Sequence, residues 1–343
     1  MEAARHSAVC TIRVVTGRAF LTGATGFVGS HVARALCNAG WRVKALVRRS
    51  GNPRQLGIGD LSVEIVPGDL SAHTDLADAV SGSDAIVHVA GLVRARTLDD
   101  YREGNVLATV RLLRAAHQRA PDALVVLVSS QAAAGPARDG RQVCEGDVAR
   151  PVSGYGLSKR EGEEAVEREW KGPWIVLRPA VVYGPRDRGL LPLFKAAARG
   201  VVPVPAGRSR IHVVHAEHLA LAIARAAGRP DLAGRTGFLC DPAPVAIRDF
   251  AGALARLPAR PARLVAIPDL LVRVAGLTQS LRELVTRRPH GFNADKARDL
   301  LAGDWLCDPA PLRRDLGLPM PTALEDGLRA TWDWYVREGW LPS

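Results

Sequence analysis

The sequence predicts an α/β fold, a doubly wound parallel sheet with a smaller C-terminal domain interleaved with it. Three observations predict it. Short runs made almost wholly of Val, Ile, Leu and Ala alternate with helix-length amphipathic segments from Arg18 onward, as strands buried on both faces require. A glycine triplet stands at the first strand-to-helix junction, where a tight crossover is needed. Beyond Tyr183, in "YGPRDRGLLP", "GVVPVPAGRSR" and "CDPAPVAIRD", Pro and Gly become frequent and the regular alternation stops.

In order, "RAFLTG" reads as the first strand, and "FVGSHVARALCNAG" as a helix ending at Gly40. "WRVKALV", "VEIVPGDL" and "DAIVHVAG" read as the second to fourth strands. "YREGNVLATVRLLRAAHQRA" has the apolar spacing of one long amphipathic helix, and "ALVVLVSS" and "WIVLRP" follow as strands. "IHVVHAEHLALAIARAAG" reads as a further strand and helix returning to the sheet. The expected division is residues 18–181 with 211–244 for a dinucleotide-binding domain, 182–210 with 245–343 for a substrate-binding domain, and 1–17 for an N-terminal extension.

With 343 residues, 47% hydrophobic and 24% charged, the chain is ordinary globular material able to bury a large core. Its net charge of +11 comes from arginines scattered among Ala, Leu and Asp rather than gathered into runs with interleaved aromatics, so no nucleic-acid partner is expected. The cysteines Cys10, Cys37, Cys144, Cys240 and Cys307 are odd in number and far apart in sequence, with no CxxC pair. Neither a disulfide framework nor a metal site is expected, and a reducing cytoplasm fits. The first seventeen residues carry charges and no continuous apolar core, so no signal peptide is read there. The most apolar window, "LVAIPDLLVRVAGL" from Leu264 to Leu277, is too short and too interrupted to span a bilayer. It reads as a lid or core helix, with peripheral membrane contact left open.

The motif "LTGATGFVG" spaces Gly23, Gly26 and Gly29 so that backbone can approach a pyrophosphate at a helix N-terminus, and Thr25, Phe27 and Val28 complete that turn. A site preferring NAD places an acid at the end of the second strand. Here "ALVRRS" places Arg48 and Arg49 there, which favours the 2′-phosphate of NADP(H), with NAD as the alternative. Asp69, with Leu70, follows the third strand and is placed to meet the adenine. Ala90 and Gly91 close the fourth with small residues where a cofactor would cross. His88 reads as a packed strand residue. Ser130 ends the fifth strand, and "PVSGYGLSKREGEE" starts a helix with Tyr155 and Lys159 four residues apart, hence on one face. A phenol needs help to exchange a proton near neutrality, and a neighbouring ammonium is expected to lower its pKa, while Ser130 donates to an oxygen gaining charge.

These motifs together, with "NVLAT", "LRPAVVYGPRD" and "HVVHAEHLALAI", resemble the extended short-chain dehydrogenases/reductases of the NAD-dependent epimerase/dehydratase superfamily over about Arg18 to Gly228. The resemblance implies a Rossmann domain, Tyr155 as general acid/base, Lys159 as its tuner and ribose ligand, and Ser130 as oxyanion partner. It also implies Asn105 as a structural or proton-relay residue, and Pro179 and Val182 near the nicotinamide. Glu217 and His218 replace the family's usual Asp-Asp pair, which weakens any substrate-specific transfer through that loop, while Ala134-Gly135 replaces a frequent Tyr-Gly whose aromatic lines nucleotide-sugar sites, which mildly disfavours a sugar nucleotide. The expected reaction is hydride exchange between NADP(H) and a ketone or secondary alcohol of a hydrophobic, steroid- or flavonoid-like molecule. "FNADKARDLL" resembles the C-terminal pattern of enzymes acting on such substrates. The alternative is a nucleotide-sugar epimerase or dehydratase with tightly held NAD, for which Arg186 and Arg210 are candidate pyrophosphate ligands. A non-catalytic dinucleotide-binding sensor or assembly subunit is the third reading. Helices flanking the sheet suit a homodimer.

Overall fold

The computed structural model describes residues 17–49, 58–286 and 292–342; the N-terminal extension up to residue 16, with Cys10, lies outside them. Six strands follow the expected order: β1 (Arg18–Thr22), β2 (Arg42–Val47), β3 (Val63–Pro67), β4 (Ala85–His88), β5 (Leu124–Val128) and β6 (Trp174–Pro179). With a seventh, Arg235–Leu239, they form one parallel sheet in the order seventh–β6–β5–β4–β1–β2–β3. The chain builds outward from β1 to β3, then crosses to β4 and builds the other way. A crevice therefore opens at the carboxyl ends of β1 and β4, where open α/β sheets bind ligands.

Alternate residues of each central strand enter opposite cores because side chains in a strand alternate faces. Ala19 and Leu21, Ala85 and Val87, Val126, and Ile175 and Leu177 pack on one face with Val32 and Leu36 of the first helix (Phe27–Asn38) and Leu219 and Ile223 of the helix Ala216–Ala227. Phe20, Ile86, Val125 and Val176 pack on the other with Leu112 and Leu113 of the helix Ala108–Arg119 and Val166 of the helix Gly154–Glu169. A further apolar cluster joins Tyr183, Phe194, Phe250, Leu254, Trp332 and Tyr335.

Three expectations are corrected. The "IHVVH" strand does not join the large sheet: Val213–His215 pairs with Val181–Tyr183, and the seventh position belongs to Arg235–Leu239. The long helix is not uniform. Leu98–Arg102 and Ala108–Arg119 are joined by a π-helical turn at Glu103–Leu107. Leu264–Leu277 is neither one helix nor core. Pro268, unable to donate to a ladder, separates the strand Arg263–Ile267, paired with Val201–Pro205, from the helix Asp269–Thr286.

Candidate functional site

β1 delivers Gly23 at φ +74°, a left-handed conformation that favours glycine. A Cβ on Gly23 would lie 2.6 Å from the Ala90 nitrogen, and one on Gly29 would lie 1.9 Å from the Gly23 carbonyl oxygen. Glycine at these two positions lets the turn after β1 lie against the end of β4 and lets the first helix start directly above it. Gly26 is the N-cap of that helix and provides no side-chain acceptor. With Thr25, Phe27 and Val28 it forms a cradle whose N–H groups suit a pyrophosphate.

Arg48 and Arg49 are exposed just past β2. Asp69 lies just past β3, and its Oδ1 accepts from the Ser71 N–H at 2.9 Å and the Thr74 hydroxyl at 2.8 Å. Hydrogen bonds from the Ser71 hydroxyl and N–H, then from Thr74, hold its carboxyl down at about 2, and the Arg48 charge adds to the effect. Asp69 is thus both a turn former and an anion beside Arg48. The Leu70 carbonyl accepts from Arg111 at 3.1 Å. His88 is buried between the Thr22 hydroxyl (2.7 Å) and the Thr109 hydroxyl (3.0 Å). Burial, then the Lys159 charge, pushes it down to about 3, so it is a neutral packed residue.

At the end of β5, Ser130 accepts from the Ala132 N–H at 3.1 Å, which leaves its own proton to donate. Ser153 caps the helix Gly154–Glu169 by accepting from the Gly156 N–H at 3.0 Å. That helix carries half-buried Tyr155 in its first turn and buried Lys159 in its second. Lys159 Nζ donates to the Val128 carbonyl at 2.7 Å. A Cβ on Gly91 would sit 3.6 Å from that Nζ and 2.8 Å from Asn105 Oδ1. Asn105, set inward by the π turn, accepts from the Leu92 N–H at 2.7 Å and donates to the Leu92 carbonyl at 3.0 Å and to Ser158 Oγ at 2.9 Å. Ser130, Tyr155, Lys159, Asn105 and Gly91 thus converge at the carboxyl edge of β4 and β5. Buried Pro179 closes β6, and half-buried Val182 follows in the short strand Val181–Tyr183.

The electrostatics differ from expectation. Burial pushes the Tyr155 phenol up to about 12, opposed by its hydrogen bond with Ser130. The expected lowering by Lys159 does not prevail. Lys159 is itself pushed down to about 8 by burial, against the pull of Glu163, and it spends a donor on Val128.

Several residues near the site gave no isolated sequence signal. Glu163, one turn beyond Lys159, receives Arg178 at 2.9 and 2.7 Å and the Ser129 hydroxyl at 2.5 Å, all buried. Asp295 accepts from the Gly154 N–H at 2.7 Å and the Tyr155 N–H at 3.1 Å, and Lys296 Nζ lies 4.4 Å from the centre of the Tyr155 ring. Both belong to "FNADKARDLL", whose signal in the sequence is its likeness to other chains. Arg210 forms two bonds to Asp304 Oδ2, the shorter 2.7 Å, and Arg186 lies over Trp334 at 5.9 Å; neither is gathered with Tyr155. Cys240 and Cys307, distant in sequence, are buried with their sulfurs 3.5 Å apart beside His212. Cysteines that sequence spacing keeps far apart are thereby brought together with a histidine, because folding joins the seventh strand's end to the segment after Trp305. His212 Nδ1 already accepts from the Cys307 N–H at 3.1 Å.

Comparison with known proteins places this geometry. Residues 19–237 match the NAD dependent epimerase/dehydratase family. The chain is 36% identical over 331 residues to the ceramide reductase of Caulobacter vibrioides, covering 94% of this chain and 96% of that one. It is 30% identical over 326 residues to a 4-hydroxy-2-methyl-3-oxo-4-farnesyl-3,4-dihydroquinoline-1-oxide ketoreductase of Stigmatella aurantiaca, covering 91% and 95%. Among solved structures, MoeE5 in complex with UDP-glucose and NAD superposes with a TM-score of 0.74 at 26% identity, covering 94% of this chain and 99% of that one. The chain is an NAD(P)-dependent enzyme of the extended short-chain dehydrogenase/reductase type, and it belongs to the NAD-dependent epimerase/dehydratase family.

Proposed function

We propose that the protein is an NADP(H)-dependent ketoreductase acting on a hydrophobic, lipid-like ketone or the corresponding secondary alcohol. The observation that carries the reading is the convergence of Ser130, Tyr155 and Lys159 beside Gly91 at the sheet's carboxyl edge. The cradle of Gly23, Gly26 and Gly29 fits the cofactor pyrophosphate, Asp69 and Leu70 the adenine side, Arg48 the 2′-phosphate, and Ala90, Gly91, Pro179 and Val182 the nicotinamide side. Nicotinamide, when bound, supplies the hydride that turns the ketone carbon into an alcohol carbon. Tyr155, kept protonated by burial, gives its proton to the oxygen, Ser130 donates to that oxygen as charge develops, and Lys159 supports the phenolate left behind. Asn105 holds the Leu92 loop against the helix that carries them.

Two observations favour a ketone over a sugar nucleotide. Arg210 is committed to Asp304, and the relatives named for ceramide and for a farnesylated quinoline cover 94% and 91% of the chain. Residues 182–210 and 245–343 would shape the substrate side. Initial rates with NADPH and NADH on long-chain ketones, alongside UDP-glucose, test the reading. NADPH-dependent ketone reduction is expected; a clear NADH preference removes the role given to Arg48, and conversion of UDP-glucose without net oxidation overturns the ketoreductase.

A further inference from the structure

The helix Asp269–Thr286 is apolar on two opposite faces. One is covered: Val272 is buried, and Gly276 lies so close to the helix Ala294–Leu300 that a Cβ there would meet the Ala297 methyl at 2.7 Å. Buried Glu283 accepts from Asn293 on the same side at 3.3 Å. The other face is bare. Leu270 is 69% exposed, Val274 45%, Leu277 58% and Leu281 63%, and Leu271 beside them 54%. Intervals of four, three and four residues put Leu270, Val274, Leu277 and Leu281 in one stripe. Of the thirteen exposed large apolar side chains among the described residues, these are five, too many on one helix for scattered surface residues.

The charges around the stripe choose its occupant. Exposed Arg273 and Arg282 lie on its two flanks; of the helix's two acids, Glu283 is turned inward and exposed Asp269 stands at its first residue, beyond the end of the stripe. The chain as a whole carries a net charge of +11. A second copy docking through the same face would set arginines against arginines. An anionic bilayer offers acyl chains to the leucines and phosphates to the arginines, whose stems can run along the apolar face while their heads stay at the interface. No described helix is long and apolar enough to cross a membrane, so this one would lie in the interfacial plane. We propose that the helix Asp269–Thr286 seats the protein on an anionic lipid surface.

The position gives the contact a consequence. Through Gly276 the helix rests on Ala294–Leu300, whose Asp295 holds the Gly154 and Tyr155 N–H groups and whose Lys296 covers the Tyr155 ring. One helical layer therefore separates the lipid-facing stripe from the phenol. The proposal goes beyond the ketoreductase reading, and its test needs no turnover.

Co-sedimentation with vesicles of equimolar phosphatidylcholine and phosphatidylglycerol, and of phosphatidylcholine alone, tests it, with sedimentation equilibrium run in parallel. The wild-type chain is expected to pellet with the anionic vesicles, and to pellet less with neutral ones or in high salt. The triple variant Leu270→Ser, Leu277→Ser, Leu281→Ser is expected to lose at least about tenfold in partitioning. Its thermal midpoint should be unchanged, because all three side chains are exposed. Arg273→Gln with Arg282→Gln should lose the preference for anionic vesicles. Wild-type protein that stays in the supernatant with the anionic vesicles, or a triple variant that pellets equally well, overturns the proposal. So does a vesicle-independent dimer that the triple variant converts to monomer.

Discussion

Lys159 is the residue on which two opposing effects meet. Burial disfavours its ammonium, while Glu163 one turn away favours it, and burial wins, leaving Lys159 at about 8. A lysine whose folded-state pKa lies below its unfolded value of ~10.4 binds fewer protons folded than unfolded between the two. The unfolded chain therefore holds more protons in that window, and the folded state gains stability as pH rises from about 8 toward ~10. The chain has five lysines, so carbon-13 labelling at Cε gives few signals. One is expected to titrate near 8 in the protein without cofactor and to vanish in Lys159→Met. Ketone reduction should decline as pH passes the same point, because the cation supporting the phenolate is lost. A Lys159 signal that stays charged to pH 10 would contradict this reading of its environment.

At the scale of elements, the helix Gly154–Glu169 is bolted to the sheet by one buried charge pair. Arg178 of β6 and Glu163 are both almost fully enclosed, and removing Arg178 leaves the buried carboxylate with only the partly exposed Arg160, at 3.2 Å, as a cationic partner. Arg178→Met is expected to cost ~3–5 kcal/mol in urea unfolding, whereas Arg178→Met combined with Glu163→Met should recover much of that loss. The sheet itself was legible because β1, β4 and β5 are buried on both faces and so read as uninterrupted apolar runs. β3, at the edge with Glu64 and Ile65 exposed, carries a shorter apolar signal that its acid interrupts. The pairing of Arg263–Ile267 with Val201–Pro205 was not legible, since nothing in either segment encodes a partner some sixty residues away. Likewise Tyr155 and Lys159 are visible as an i, i+4 pair, whereas Asp295, which caps the same helix from far along the chain, is visible only in three dimensions.

Over the whole molecule, the last fifty residues return to the site that the first half builds. Asp295 accepts from the first two N–H groups of the helix bearing Tyr155, where a carboxylate also opposes the positive end of the helix dipole. Asp295→Ala is expected to cost ~1–2 kcal/mol. It should also raise hydrogen exchange at the Gly154 and Tyr155 amides selectively, leaving the β1 and β5 amides protected. Uniform acceleration across the sheet would mean that the contact stabilises the fold generally rather than the start of this helix.

The central claim is that Tyr155 exchanges the proton while the glycine cradle and Lys159 hold the cofactor. It is tested most directly by measuring NADPH affinity and single-turnover reduction of a long-chain ketone on Tyr155→Phe. The account predicts affinity within about twofold of wild type and a rate lower by ~10²–10⁴; a variant that still reduces the ketone at the wild-type rate would contradict it.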